Sequence, residues 1–484
     1  MSIIAIDQGT TGTTTILYNK FGIPVIRAYR EFNQYYPKPG WVEHDPQEIW
    51  QTVTDTIHEI MAHNPGKIDA VGITNQRETT LLWDRETGQE VYNAIVWQCR
   101  RTSGMCDKLR PHEKVIREKT GLPLDPYFSA TKIRWILENV PELPPINQVA
   151  FGTVDSWLIW QLTSGKSHAT DFTNASRSLL FDIEEQEWSG ELCEIFEIPP
   201  QILPQVRASL ADYGRITSIP ELEGVPILGV AGDQQAALFG QTCFYPGEAK
   251  NTYGTGCFLL MNTGRDRVVS KNNLLSTIAI DDAGNPCHAL EGAVFVGGAA
   301  IQWLRDELCI IENAADSEAV AMSLNGNDGV YFVPAFVGLG APHWKPNARG
   351  ILTGLTRGTN QSHIVRAALE AMAYQSLDLI NAMEEDTNTI IPALHVDGGA
   401  IANNFLSQFQ ADILDKQLIR PAVIESTSRG AAYLAGLNAG IWRDARELRT
   451  LESDAETFSP KMSSRQREEL IEGWRHAIQQ ALTI

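Results

Sequence analysis

No apolar run in this chain approaches the length of a membrane span, and no segment is rich in Lys and Arg. The first absence excludes a transmembrane helix, which needs about 20 consecutive apolar residues. The second, together with a formal net charge of -20, argues against nucleic acid or an anionic membrane surface as a partner. Anionic ligands of so acidic a protein must be met by backbone N–H groups and a few placed arginines. The seven cysteines contain no CxxC pair, which reads as reduced thiols of a cytoplasmic protein rather than a disulfide framework. The first apolar strand begins so early that a signal peptide has no room, which again points to the cytoplasm. A Walker-type phosphate loop is missing as well. Gly165-Lys166-Ser167 imitates its tail, but Trp160 stands where the leading glycine belongs. His58 and His63 are one residue too far apart for a zinc-binding helical pair. No low-complexity linker interrupts the chain. What remains is 484 residues, 43% hydrophobic and 20% charged. This is globular composition, long enough for roughly two to four domains.

The most informative stretch is residues 3–19, IIAIDQGTTGTTTILYN. An apolar run, a Gly- and Thr-rich middle and a second apolar run predict a β-hairpin with its turn over residues 8–14. Gly9 and Gly12 let successive N–H groups point at one anion, and the threonine hydroxyls add donors. Asp7 ends the first strand facing that cradle, and a carboxylate there suits a divalent cation beside a phosphate. An ordinary hairpin with a polar turn is the competing reading. A second stretch, residues 249–264 (AKNTYGTGCFLLMNTG), repeats the pattern. Two such hairpins predict two related halves, placed at residues 1–245 and 246–484, each offering a loop to the same phosphates. The arrangement resembles the actin, hexokinase and heat-shock ATPase superfamily. The expected fold is therefore α/β, with two duplicated ribonuclease H-like domains and the active site in the cleft between them.

Along the chain, Asp45 and Pro46 predict the start of a helix running to residue 63. Strands are predicted at 68–74, 81–83, 91–96 and 226–231, and helices at 131–139 and 154–162. The second half reads as strand 287–290, helix 297–308, strand 330–334, loop 338–350, helix 362–383 and strand 394–396. Strand 226–231 ends at Gly232-Asp233-Gln234-Gln235 and strand 394–396 at Asp397-Gly398-Gly399-Ala400. Carboxyl ends of buried strands are preferred places for chemistry in α/β sheets.

Asn75-Gln76-Arg77-Glu78-Thr79 admits two readings. One is a solvated turn carrying a surface ion pair. The other is a polyol clamp, in which Arg77 donates a fork of N–H groups and Glu78 accepts from hydroxyls. Trp97, Tyr127 and Phe258 read as core aromatics, or as walls covering the C–H side of a small polyol. Asp233 is the candidate general base for a hydroxyl acceptor, with a helix N-cap as the alternative. Residues 397–400 suit a nucleotide lying on bare backbone, or simply a tight turn.

Longer segments resemble the FGGY carbohydrate kinase family nearly end to end. They include DQGTT at Asp7, PKPGWVEHDP at Pro37, GITNQRETT at Gly72, NAIVWQCRRT at Asn93 and DPYFSATK at Asp125. They continue with GTVDSWLIW at Gly152, AGDQQAALFGQ at Ala231, NTYGTGCF at Asn251, EGAVFVGGAAIQWLRDE at Glu291, GLGAP at Gly338 and DGGAIANNFL at Asp397. NQRET, WQCRRT and GDQQAALFGQ are the segments most specific to the family's glycerol-phosphorylating branch. The resemblance implies transfer of phosphate from ATP to glycerol with Mg²⁺, giving sn-glycerol 3-phosphate. It implies that Arg77, Glu78, Tyr127, Asp233 and Gln234 hydrogen-bond glycerol, with Trp97 and Phe258 walling its carbons. It further implies that Thr10, Thr11, Gly12, Thr255, Gly298, Gln302, Gly399 and Asn403 contact the nucleotide. Asp7 would serve the metal and Asp233 would be the base. Homodimers or homotetramers are expected by analogy. A kinase for another small polyol or sugar, and an actin-like nucleotide switch without an acceptor, are the rival readings.

The chain departs from that pattern at several places. Thr14 stands where similar kinases commonly carry an Arg near the phosphates, so one charge-assisted contact is expected to be missing unless another cation reaches in. The loop at 214–224 and the tail at 459–467 lack the effector sequences of regulated relatives. No His lies between His168 and His288, which removes the phosphohistidine site of others.

Overall fold

Residues 3–6 are apolar and end at Asp7, and residues 13–17 are mostly β-branched; the two segments pair as the expected hairpin. The computed structural model describes residues 1–345, 347–423, 425–451 and 454–483. Strands Ser2–Gln8 and Gly12–Asn19 are antiparallel, with Asp7 opposite Thr14. Gly9 N donates to the Gly12 carbonyl at 2.9 Å and closes the turn. A third strand, Pro24–Glu31, extends the hairpin antiparallel, while Ala70–Asn75 and Pro226–Gly232 run parallel on the other side. Sequence reasoning did not find Pro24–Glu31. It is an edge strand with Arg27, Tyr29, Arg30 and Glu31 exposed or half-buried, so the apolar signal is weak.

The second half repeats this order. Strands Ala249–Tyr253, Cys257–Gly264 and Pro286–Val294 are antiparallel, and Ala393–Asp397 and Gln417–Arg420 continue in parallel. Further antiparallel strands, Leu275–Ile280 and Glu456–Phe458, close its two edges. Asp7 pairs with Thr74 in the first half, and Thr252 pairs with Asp397 at the matching place in the second. The expected pair of related α/β halves is present.

Two helices cross between the halves. Asp233–Gly240 follows the last parallel strand of the first sheet, and its Leu238 packs with Leu260 and Ala289 of the second. Ser426–Asn438 belongs by sequence to the second half, yet its Ala431, Ala432 and Leu434 pack on Ile3, Ala5 and Ile16 of the first sheet. The helices touch backbone to backbone, and a Cβ on Gly430 would run into the Ala236 carbonyl. The other face of the first sheet buries Ile4, Ile6 and Leu17 against Ile49, Val53 and Ile57 of helix Pro46–Ala62. Asp45 caps that helix as expected, accepting from Gln47 N and Glu48 N. The long helix runs Gln361–Thr387, somewhat beyond the predicted 362–383. Helix Ala299–Asp306 is shorter than predicted, and strand 330–334 is confined to Tyr331–Val333. Within the predicted loop 338–350, residue 346 lies outside the described residues.

Candidate active site

The carboxyl ends of the parallel strands from both sheets meet between the halves, and the residues there are charged and buried. Arg77 and Glu78 lie just past the end of Ala70–Asn75, each with a side chain only 2% exposed. That excludes a solvated surface pair. The Arg77 fork is committed across the cleft: Nη1 and Nη2 donate to Glu291 Oε2 and Oε1 at 2.7 and 2.9 Å. Nη1 also donates to Gln235 Oε1 at 3.2 Å, and Nε lies 3.2 Å from Asp233 Oδ1. The Nη groups hold a carboxylate of the second half, because two buried charges need each other.

Glu78 takes a second arginine. Arg177 Nε donates to Glu78 Oε1 at 2.6 Å, and its Nη2 to Glu291 Oε1 at 3.2 Å. Burial alone would raise the Glu291 carboxyl, but Arg177 and Arg77 override it and hold it at about 2. Glu78 itself sits in the left-handed region, φ 60°, a conformation that costs energy in a non-glycine residue. Its carbonyl is pinned by Ser129 Oγ and Lys132 Nζ, both at 3.1 Å. Lys132 donates to backbone carbonyls, and burial pulls its ammonium down to about 7.

Asp233 is the first residue of its helix rather than the N-cap, which is Gly232. Its Oδ1 accepts from Gln234 N at 2.7 Å, and its side chain keeps 29% exposure. Gln234 Oε1 accepts from Lys250 Nζ at 2.5 Å; the same ammonium donates to Thr252 Oγ1 and to the Phe258 carbonyl. Phe258 pairs with Thr252, so its ring shares the sheet face that bears Lys250, Thr252 and Asp397. Tyr127 stands 5.5 Å from Trp97, edge to face, and the Trp97 indole donates to Thr10 Oγ1 at 3.0 Å. Burial, then the Glu78 charge, raises the Tyr127 phenol. Arg77, Glu78, Tyr127, Trp97, Asp233, Gln234 and Phe258 are thus gathered around one space between the sheets.

Asp7 is electrostatically part of that space. Burial, then the charges of Asp233 and Glu425, push its carboxyl up to about 8. Among the described residues, no group of three or more His, Cys, Asp and Glu is arranged to hold a metal.

The nucleotide candidates form two clusters. Thr10, Thr11 and Gly12 make the first hairpin turn, with Thr11 exposed at its tip. At the second turn Gly298 N donates to the Gly254 carbonyl, and Gly297 N and Ala299 N donate to Thr255 O. Gly398, with φ 92°, lies against the Tyr253 carbonyl where a Cβ would clash. Gly399 has open space on its Cβ side, and Gln302 is exposed on helix Ala299–Asp306. Asn403 caps helix Asn404–Leu414 through Leu406 N and donates to Ser317 Oγ. Thr255, Gly298 and Gly399 therefore surround one turn.

Sequence reasoning missed Glu291, Arg177, Lys250 and Gln235. Glu291 and Lys250 left a signal, since each is a lone charge inside an otherwise buried strand. Arg177 left none.

The model of the N-terminal domain of the FGGY family of carbohydrate kinases matches residues 2–240, and the C-terminal model matches residues 249–439. A glycerol kinase of Clostridium botulinum strain 657 is 55% identical over 488 residues, covering 99% of this chain and 98% of that protein. One of Shewanella amazonensis is 53% identical, covering 99% of both. The crystal structure of a Plasmodium falciparum glycerol kinase with ADP superposes with a TM-score of 0.94 at 36% identity, over 99% of this chain and 98% of that one. Among the described residues, no helix is long and apolar enough to cross a membrane.

Proposed function

Because the chain belongs to the FGGY family of carbohydrate kinases, we propose that it transfers the terminal phosphoryl group of ATP to glycerol, yielding sn-glycerol 3-phosphate and ADP. The observation that carries this reading is Asp233. It is a half-buried carboxylate fixed by Arg77 Nε and Gln234 N, next to the buried Arg77–Glu291 pair. Such a carboxylate accepts the proton of a terminal hydroxyl as that oxygen attacks phosphorus. Arg77 holds the base in place from one side while Glu291 holds Arg77 from the other. Glu78 retains Oε2 for a substrate hydroxyl. Trp97, Tyr127 and Phe258 wall the carbon skeleton, and Gln234 completes the polar set.

The turns at 9–12 and 254–256 would receive the phosphates from opposite halves, with Gly298, Gln302, Gly399 and Asn403 on the nucleotide side. Asp7 is the residue that would hold Mg²⁺. Its carboxyl is pushed up to about 8 by burial and neighbouring carboxylates, so a cation beside it relieves that cost. A buried oxygen without a partner among the described residues, Thr74 Oγ1, lies on the strand position opposite Asp7. A bound divalent ion supplies neutralising charge to the phosphates. We also propose the division into residues 1–245 and 246–484, which the repeated strand order supports.

ADP release measured across a panel of polyols and sugars tests the reading. Glycerol is expected to be the best acceptor. 1,3-Propanediol, which leaves buried polar groups unpaired, is expected to fall behind by about 10⁴ in kcat/KM. A different acceptor in first place, or bound ATP that no acceptor turns over, would contradict it.

A further inference from the structure

The edge strand Pro24–Glu31 sets Tyr29 opposite Thr14 and Arg27 opposite Ile16. Asp7 lies opposite Thr14 from the other side. Opposed residues and their second neighbours share a sheet face. Asp7, Thr14 and Arg27 therefore project from one face, the face turned toward helix Ser426–Asn438. A residue diagonal to Thr14 is about 7–8 Å away, within reach of a long side chain. Arg30, on the alternate parity, pairs instead with Glu59 at 2.6 Å.

Arg27 Nε rests 3.3 Å from Glu425 Oε1, with the two side chains 50% and 40% exposed. An ion pair so exposed contributes little and is readily exchanged. Glu425 stands at the N-cap of helix Ser426–Asn438, where the helix dipole still favours its charge after Arg27 leaves. The Arg27 charge is also felt at Asp7, opposing the effects of burial and of the carboxylates there. The face thus carries Asp7, Asp233 and Glu425 with one half-exposed guanidinium beside them, held by Glu425 and lying over the Tyr29 ring.

We infer that Arg27 supplies the phosphate-facing charge that Thr14 cannot, moving from Glu425 to the nucleotide phosphates when ATP or ADP binds. A guanidinium fork matches phosphate oxygens bidentately. The sheet delivers it from the neighbouring strand rather than from the hairpin itself. Arg27 is then a nucleotide-binding residue. The inference rests on the ATP-dependent reading above.

Calorimetry of the full chain with Mg-ADP and Mg-ATP, and separately with glycerol, tests it. Arg27→Gln is expected to weaken nucleotide binding about 10- to 150-fold, the worth of a hydrogen bond to a charged group, and to leave glycerol affinity unchanged. Thr14→Arg placed in the Arg27→Gln background is expected to restore nucleotide affinity. Arg27→Gln with Glu425→Gln is expected to stay weak. If Arg27 served only to neutralise Glu425, that double variant would bind like the wild type, which would overturn the inference. Unchanged nucleotide affinity in Arg27→Gln would overturn it too, while wild-type turnover of glycerol left the kinase reading standing. A wild-type protein that binds neither ATP nor ADP would overturn both.

Discussion

The two hairpins are built on the same strand order and differ in where the carboxylate stands. In the first half the carboxylate is on the hairpin, at Asp7, and its parallel partner is Thr74. In the second half the threonine is on the hairpin, at Thr252, and the carboxylate is on the parallel partner, Asp397. Their surroundings differ as well. Asp7 is half-buried, and desolvation together with the charges of Asp233 and Glu425 pushes it up to about 8. Asp397 is also raised by burial, but Lys250 opposes the rise with its ammonium. One half thus leaves a carboxylate short of positive charge at the cleft, and the other brings its own cation. The repeated scaffold is asymmetric in the place of one acid and in one lysine. The asymmetry suits a reaction in which one side holds metal and acceptor and the other holds the nucleotide.

The largest effect is expected where the halves are joined. Glu291 accepts hydrogen bonds from both Arg77 and Arg177. Glu291→Ala leaves two buried guanidiniums facing each other, and removing one partner of a buried pair costs about 3–5 kcal/mol. A denaturation midpoint within error of wild type would show that the cleft does not depend on this bridge.

A second test sets Asp7 against Asp397. The Asp7 carboxyl, ordinarily at 3.8, is pushed up to about 8 in the fold. Between those values the folded chain keeps a proton that the unfolded chain has lost, so this group's contribution to stability falls as pH rises. Asp7→Asn removes that loss. It is expected to raise the melting temperature of the nucleotide-free protein at pH 8 while changing little near pH 4. Asp397→Asn is expected to lack that gain, because it strips Lys250 of a counter-charge. Equal gains from both variants would erase the contrast.

Much of this was legible in the chain, and the boundary of legibility is physical. Each hairpin is a local signal: an apolar run, glycines and threonines, then a second run. The Asp233 and Arg77-Glu78 segments were legible because they follow short apolar strands. Helix Ser426–Asn438 was not found, and it carries two glycines, Gly430 and Gly436. Those glycines are what lets it press against Ala236 and Trp442. Arg177 could not have been found either, since its partner Glu78 lies 99 residues away in sequence. The bond from the Arg77 fork to Glu291 was illegible for the same reason: that partner is 214 residues distant. Sequence shows which charges are present, and only the fold shows which of them face each other.

In the proposed reaction Asp233 removes the proton from glycerol as ATP is cleaved. Asp233→Asn keeps the side chain's shape and its place beside Arg77 but cannot take the proton. Turnover with saturating ATP and glycerol, measured alongside glycerol affinity, is expected to fall by about 10²–10⁴ while glycerol still binds. Near-normal turnover in that variant would contradict the account.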